Sequence, residues 1–278
     1  MPDSNAMSKP TSSLPTGEGG ELRFHTHVSR IFGNMRQLRV WLPPGYNSPR
    51  NEGRRYPVLY LNDGQNLFEP ETAFAGVDWR VGETLERLIG EDVVPPMIVV
   101  GIDNATVERI REFIPYKSLH PPVPKPMGKH YPDFLIREVM PLIARTYRVA
   151  RGAKNTGLGG SSLGGLISLY TAIMRPGVFG KLLVESPSLF VANRQVFKDS
   201  RTVATWPQRI FLGVGTRETG QPDRDQGIVD DVRSLARILH LAGLREKRLR
   251  LEIEEGAGHS EGAWAGRFAM AAAFLFAE

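Results

Sequence analysis

Short segments with strand character recur along the chain, and segments with helical spacing separate most of them. The strand-like segments fall at residues 56–61, 96–102, 156–159, 181–186, 209–215 and 249–254, and the helical ones at residues 77–89, 131–147, 162–174, 226–242 and 261–278. This alternation predicts an α/β fold, with a mainly parallel central sheet and helices on both faces. Two earlier segments, residues 23–31 and 37–42, alternate apolar with polar residues and predict an N-terminal antiparallel hairpin.

The length of 278 residues favours one large domain over two small ones. We expect a single domain over residues 21–278, preceded by a disordered tail over residues 1–20 that is rich in Ser, Pro, Thr and Gly. The N-terminus has no apolar region like that of a secretory signal, and no run of apolar residues is long enough to span a membrane. The sequence therefore predicts a cytoplasmic protein.

Composition excludes several classes of site. The chain has no cysteine, which excludes a thiol nucleophile, a disulfide framework and cysteine-ligated zinc. Its net charge of +5 is spread over many segments without a basic stripe or a nucleic-acid-binding motif, so we expect no nucleic-acid partner. Nothing in the sequence implies a metal or an organic cofactor.

A candidate nucleophile lies between a predicted strand and a predicted helix. Residues 160–164 read Gly-Ser-Ser-Leu-Gly, which fits the G-x-S-x-G motif of a nucleophile elbow centred on Ser162. Such a tight turn strains the serine backbone, and the flanking glycines leave room for the neighbouring elements. Ser161 is the rival, but Leu163 occupies the position of its second glycine. Ser162 is therefore the predicted nucleophile.

A serine hydroxyl needs a base, and in this arrangement the base is the last member of the triad along the chain. Two histidines follow Ser162. His240 lies inside a predicted helix, whereas His259 lies between the last predicted strand and the last predicted helix. That position is at the carboxyl edge of the sheet, where ligands bind in open α/β sheets. We therefore predict His259 as the base.

The acid member should follow the preceding strand, residues 209–215. Glu218 is the first carboxylate after it, while Asp223 and Asp225 lie a few residues further in a loop that contains Gly and Pro. Aspartate is the commoner acid partner, so both aspartates stay open beside Glu218. The acid would hold the imidazole tautomer and stabilise the imidazolium.

An oxyanion hole needs two backbone N–H groups. Leu163, the residue after the nucleophile, should supply one of them. The other should come from the loop after the third strand, where Gly64 permits an unusual turn and Gln65 would present its N–H.

The segment from Asn104 to Lys129 shows no period and carries many prolines and charges. Because it follows a strand's carboxyl end, we expect it to form a rim or lid of the pocket. Its cations are Arg109, Arg111, Lys117 and Lys125. They could meet an anionic or polyhydroxylated substrate, or form ion pairs such as Arg109 with Glu112.

From about Arg36 to the end, the chain resembles the Putative esterase family, the esterase D-like branch of the α/β hydrolases. This branch includes feruloyl and acetylxylan esterases, S-formylglutathione hydrolase, enterochelin esterase and the mycolyltransferases. The segments that carry the resemblance are residues 36–46 (RQLRVWLPPGY), 56–68 (YPVLYLNDGQNLF), 97–104 (MIVVGIDN), 109–113 (Arg-x-x-Glu-Phe), 156–165 (TGLGGSSLGG) and 186–189 (SPSL).

The resemblance implies an α/β-hydrolase fold and an acyl-enzyme on Ser162. Gly215-Thr216-Arg217-Glu218 matches the family's Gly-Thr-x-Asp or Gly-Thr-x-Glu segment, which raises Glu218 above the aspartates. The chain departs from the family at one point: many relatives have His-Gly where this chain has Asp63-Gly64. The backbone donor survives that change, but the polarity of the pocket is expected to differ.

The leading hypothesis is a serine carboxylic-ester hydrolase with a Ser-His-Glu triad, acting on a small ester such as an acylated carbohydrate. An acyltransferase would use the same three residues while excluding water and binding an acceptor. A non-catalytic carbohydrate-binding protein is the alternative from another class, and it would be expected to have a damaged triad.

Overall fold

The computed structural model of the protein describes residues 19–119 and 122–277. The predicted N-terminal tail lies outside these residues, except for Gly19 and Gly20. The backbone N–H of Gly20, which is buried, donates to Glu86 Oε1 at 2.6 Å.

One eight-stranded sheet forms the centre of the described part of the chain. The strands are β1 (Glu21–Val28), β2 (Met35–Leu42), β3 (Val58–Asn62), β4 (Ile98–Ile102), β5 (Thr156–Ser161), β6 (Lys181–Glu185), β7 (Arg209–Arg217) and β8 (Leu249–Gly258). Their spatial order is β1-β2-β4-β3-β5-β6-β7-β8. Strand β2 runs antiparallel to both β1 and β4, and all other neighbours are parallel. The predicted hairpin and the mainly parallel sheet are both present.

The helices connect the parallel strands. They are α1 (Val81–Gly90), α2 (Arg109–Phe113), α3 (Tyr131–Phe134), α4 (Met140–Thr146), α5 (Leu163–Met174), α6 (Val191–Ser200), α7 (Pro222–Leu241) and α8 (Glu261–Phe276). A π-helical turn, Leu135–Val139, joins α3 to α4. Pro141, the second residue of α4, lacks the N–H that a regular helix would use there.

Two apolar cores lie on opposite faces of the sheet. Helices α1 and α8 pack with each other on one face, and helices α3 to α7 cover the other. Successive residues of β3 alternate between the cores: Val58 and Tyr60 belong to the larger one, and Leu59 and Leu61 to the smaller one. Because both faces are covered, the strand residues are apolar at consecutive positions instead of alternating.

Two helices were not predicted. Helix α2 lies within the segment from Asn104 to Lys129, and it has only five residues, too few for a periodic pattern to be detected. Helix α6 has left-handed backbone at residues 192–194, and its buried residues are Val191, Val196, Phe197 and Ser200. Neither of these patterns gives the regular apolar stripe that identifies an amphipathic helix.

The parallel strands all end at the same edge of the sheet. The loops after β3 and β4 therefore face the loops after β5 to β8, and all the predicted site residues lie in these six connections or directly beside them. This is the edge at which ligands bind in such folds.

Candidate active site

Ser162 occupies the turn between β5 and α5. Its backbone has φ 56° and ψ −123°, a combination that is strained for a residue with a side chain. The Ser162 N–H donates to the carbonyl oxygen of Glu185 at 2.9 Å, which anchors the turn to the neighbouring strand. A Cβ at Gly160 would lie 3.0 Å from the carbonyl group of Gly164, so the flanking glycines allow strand and helix to approach this closely. Its rival Ser161 is buried within β5.

Glu218 and His259 meet beside this turn. Glu218 follows β7, and His259 follows β8 directly. Glu218 Oε2 lies 2.5 Å from His259 Nδ1. Because a carboxylate is an acceptor, this contact favours the tautomer that carries its proton on Nδ1 and leaves Nε2 free to accept one. The imidazole is about one-third exposed, whereas the Glu218 side chain is fully buried.

The two aspartates considered as alternatives lie elsewhere. Asp223 is exposed on the first turn of α7. Asp225 is buried, and its Oδ1 accepts from the Thr219 N–H at 2.6 Å and from the Thr219 hydroxyl at 2.7 Å. Asp225 therefore closes the turn that follows Glu218, and Glu218 is the member of this group that contacts His259.

A network of hydrogen bonds holds the Glu218 carboxylate. Its Oε1 accepts from the Ser186 hydroxyl at 2.6 Å and from the Gly215 N–H at 2.7 Å. Burial raises the pKa of Glu218, but the bonds from His259, Ser186 and Gly215 outweigh it, so its pKa lies below the ordinary value. These bonds keep the carboxylate ionised beside the imidazole.

Trp264 joins the same network from helix α8. Its indole Nε1–H donates to Ser186 Oγ at 2.9 Å, and its ring meets that of His259 edge to face with 5.0 Å between centroids. Trp264 thus contacts both the base and the group that supports the acid. No sequence motif identified Trp264, although it lies five residues after His259 and one turn into a predicted helix.

The Ser186-Pro187-Ser188 segment connects the nucleophile turn to the acid–base pair. The Ser188 N–H donates to the Ser162 carbonyl oxygen at 3.1 Å, and the two hydroxyl oxygens lie 3.4 Å apart. Within the described residues, the Ser162 hydroxyl contacts Ser188 and has no hydrogen bond to His259. Glu218 and His259 therefore contact each other directly. Ser162 is connected to them through this segment, because Ser188 contacts Ser162 and Ser186 contacts Glu218.

The two predicted oxyanion donors lie on facing loops. Leu163 is the first residue of α5, where a helical N–H has no partner within its own helix. Gln65 lies in the 3₁₀ turn Gly64–Asn66, which follows Asp63. A Cβ at Gly64 would lie 2.5 Å from the carbonyl carbon of Gly101, so only glycine allows this turn to pack against β4.

Arg109, in the segment from Asn104 to Lys129, does not form the ion pair with Glu112 that the sequence suggested. Arg109 pairs with Asp63, and Glu112 pairs with the buried Arg36 at 2.8 Å instead of with Arg109. The carboxylate of Asp63, at the position of the family's histidine, is buried and hydrogen-bonded through both oxygens. Arg109 therefore balances the charge of Asp63, and the expected difference in pocket polarity stays a prediction.

Three other described histidines contact groups away from this site. His25 is hydrogen-bonded to the Tyr147 hydroxyl, His27 faces Glu138, and His240 is exposed on α7 beside Arg245. Over residues 19–119 and 122–277, no cluster of three or more His, Asp or Glu side chains is arranged to hold a metal ion. None of the helices in these ranges is long and apolar enough to cross a membrane.

Comparison with known proteins gives consistent matches. The model of the family described as Putative esterase matches residues 29–275. An uncharacterised Bacillus subtilis protein, YbbA, is 26% identical over 87% of this chain and 92% of its own length. An endo-1,4-β-xylanase/feruloyl esterase of Xylanibacter ruminicola is 27% identical over 88% of this chain and 30% of its own length. The crystal structure of the BES protein from Bacillus cereus superposes with a TM-score of 0.74 at 19% identity, covering 98% of this chain and all of the other.

Proposed function

Because this chain belongs to the Putative esterase family and is a serine-type carboxylic-ester hydrolase with the α/β-hydrolase fold, we propose that it acts through a triad of Ser162, His259 and Glu218. The substrate is a small-molecule ester. The family match confirms the predicted family, fold and enzyme class. The roles of the individual residues are what we propose.

In the proposed first step, the Ser162 hydroxyl attacks the ester carbonyl while His259 Nε2 accepts its proton. His259 then returns this proton to the departing alcohol, leaving the acyl group on Ser162. In the second step, water attacks the acyl-enzyme while His259 accepts a proton from it. The bond between the acyl group and Ser162 Oγ then breaks, His259 returns the proton to Ser162 Oγ, and the acid product leaves. Glu218 stays ionised throughout and stabilises the imidazolium that forms in each step.

Each tetrahedral intermediate carries a negative charge on the former carbonyl oxygen. The N–H groups of Leu163 and Gln65 are the proposed donors to this oxygen. The N-terminus of α5 adds a favourable dipole, since it begins at Leu163 directly beside the nucleophile.

The observation that carries the proposal is the 2.5 Å contact between Glu218 Oε2 and His259 Nδ1, beside a strained serine turn. The three residues also follow the chain order of the α/β hydrolases, with the acid between nucleophile and base. A buried carboxylate bonded to a partly exposed imidazole is the arrangement that orients a catalytic base.

The proposed substrate is an ester of a carbohydrate or another small alcohol. Similarity to a protein named as a xylanase and feruloyl esterase supports this choice. The acyltransferase alternative would use the same residues and differs only in the acceptor of the acyl group.

The test compares the wild type with Ser162→Ala and Ser161→Ala. We expect the wild type to hydrolyse p-nitrophenyl acetate, and Ser162→Ala to lose several orders of magnitude in kcat. A fluorophosphonate probe should label the wild type and Ser161→Ala on Ser162, as identified by mass spectrometry. Label on Ser161 would reassign the nucleophile, and a wild type that neither turns over nor labels would favour the non-catalytic alternative.

The acyl and alcohol preferences need a separate measurement. Acetyl, feruloyl, short-chain and thioester substrates would be ranked by kcat/KM. Product analysis with and without a sugar acceptor would then separate hydrolysis from transfer, because only a transferase gives an acylated sugar as its main product.

A further inference from the structure

Asp63 adopts an unusual conformation directly before the proposed oxyanion donor. Its backbone is left-handed, with φ 59° and ψ 50°, a region that few residues other than glycine, asparagine and aspartate enter. Its side chain is buried, and only 4% of the residue is exposed. A buried carboxylate without a partner is costly, so its surroundings must supply both charge and hydrogen bonds.

Arg109 supplies most of that compensation. Its Nε donates to Asp63 Oδ1 at 2.7 Å and its Nη2 donates to Oδ2 at 2.8 Å, which makes the pair bidentate. Asn104 Nδ2 donates to Oδ1 at 2.7 Å. Burial lowers the pKa of Arg109, but Asp63, together with the charge of Glu261, outweighs it and leaves the pKa above its ordinary value. The raised pKa therefore favours the charged guanidinium beside Asp63.

The Asp63 carboxylate also lies against the nucleophile helix. A Cβ on Gly164, in the first turn of α5, would be only 3.0 Å from Asp63 Oδ2. The Asp63–Arg109 pair thus sits between the turn that carries Gln65 and the turn that carries Ser162 and Leu163. The Asp63 side chain therefore links the two turns that carry the proposed donors.

Two further contacts hold Gln65 itself. The Thr72 hydroxyl donates to the Gln65 carbonyl oxygen at 2.7 Å, and the Asn104 N–H donates to Gln65 Oε1 at 3.2 Å. These contacts restrain Gln65 at its carbonyl oxygen and at its side chain, and the left-handed turn at Asp63 lies two residues before it.

We propose that Arg109 is a positioning residue of the oxyanion hole: by pairing with the buried Asp63, it fixes the left-handed turn that aims the Gln65 N–H at the reacting carbonyl. This inference rests on the proposed function, because it assigns Arg109 to the oxyanion hole of that site. Arg109 acts through Asp63 and does not touch the substrate.

The test is a double-mutant cycle of Arg109→Met, Asp63→Asn and the combination, with kcat and KM measured on p-nitrophenyl acetate. Arg109→Met leaves an unpaired buried carboxylate, so the turn should relax. Loss of one oxyanion donor costs about 10²–10³ in kcat, and we expect a fall of about 100-fold with KM changed by less than about threefold.

Asp63→Asn should be milder, with less than about a tenfold fall, because asparagine tolerates left-handed backbone and carries no charge. Adding Arg109→Met to Asp63→Asn should then lower kcat only slightly. The kcat of the double variant should exceed that of Arg109→Met alone by about tenfold or more, since the double variant no longer contains the buried unpaired charge.

Arg36→Met is the matched control, because it removes the partner of another buried carboxylate, Glu112, outside the proposed site. It should lower the thermal midpoint about as much as Arg109→Met does, with kcat per active site unchanged. Active sites are counted by the end point of fluorophosphonate labelling.

Three outcomes would overturn the proposal. A rise in KM in Arg109→Met that persists in the double variant would make Arg109 a substrate-binding residue. An unchanged kcat per labelled site, with a lower thermal midpoint, would make the pair purely structural. Additive losses in the double variant would show that Arg109 does not act through Asp63. Failure of the proposed function itself would be visible first, as a wild type without turnover or label.

Discussion

Glu218 Oε2 and His259 Nδ1 lie 2.5 Å apart although the two residues are 41 positions apart in the chain. The residues follow adjacent parallel strands, β7 and β8, whose carboxyl ends place them at the same edge of the sheet. Ser186 and Gly215 donate to Glu218 Oε1, and Trp264 donates in turn to the Ser186 hydroxyl oxygen. The acid is therefore held by several elements and the base mainly by the acid and Trp264.

Glu218→Gln tests the acid directly. Glutamine keeps the shape but can present an N–H to His259 Nδ1, which favours the wrong imidazole tautomer. We expect kcat on p-nitrophenyl acetate to fall by about 10²–10⁴-fold. Asp223→Asn, an exposed change on α7, is the control and should stay within about twofold of the wild type. A larger loss in Asp223→Asn than in Glu218→Gln would return the role to the aspartate.

Ser186→Ala tests the support of the acid. The substitution removes one of two hydrogen bonds to Glu218 Oε1 and leaves the Trp264 indole without its acceptor. The pKa of Glu218 should rise towards its ordinary value, and we expect kcat to fall by roughly tenfold because the imidazole is held less firmly. Ser200→Ala removes another buried hydroxyl, on α6, and should leave kcat unchanged. Equal effects of the two changes would show that only general stability is involved.

Gly64→Ala tests the close approach of the oxyanion turn to β4. The new methyl group would lie 2.5 Å from the carbonyl carbon of Gly101 and 2.7 Å from the Ile102 nitrogen, and backbone atoms cannot move aside cheaply. The turn must shift, so kcat should fall by at least about 100-fold. The matched control is Gly227→Ala in α7, which meets no atom within 4 Å and should stabilise the helix by about 1 kcal/mol. Full activity in Gly64→Ala would contradict the oxyanion assignment.

The raised pKa of Glu185 predicts that the stability of the folded protein depends on pH. Burial raises its pKa from 4.5 to about 7, even though Arg267 lies 2.9 Å away. The folded protein therefore keeps a proton that the unfolded chain releases, so this contribution to stability is complete below about pH 4.5 and is lost as the pH rises through about 7. The loss is on the order of 3 kcal/mol over this window.

Urea unfolding of the wild type and Glu185→Gln at several pH values between 5 and about 8.5 would measure this effect. Glutamine does not titrate, so the difference in unfolding free energy between the two proteins isolates Glu185. The wild type should lose stability relative to the variant as the pH rises. A difference that does not change with pH would show that Glu185 ionises normally in the folded protein.

Local pattern accounts for most of what could be predicted about the fold. The spacing of apolar residues over short segments predicts the apolar strands, the helices between them and the N-terminal hairpin. The strand-to-helix context of Ser162 and the position of His259 after the last strand are also local. Elements without a regular apolar stripe escaped prediction, as α6 did with its left-handed residues 192–194.

The sequence by itself determined that a serine turn and a histidine loop would lie at one edge of a parallel sheet, because the alternation of strands and helices along the chain and the Gly-x-Ser-x-Gly turn follow from short-range sterics and burial. Only the tertiary structure decided which carboxylate reaches His259, that Asp225 instead bonds Thr219, and that Arg109 pairs with Asp63 and not with Glu112. Each of these choices depends on side chains from different elements meeting within hydrogen-bonding distance. Such contacts depend on how the helices and loops pack on the sheet, and the spacing of residues along the chain does not predict them.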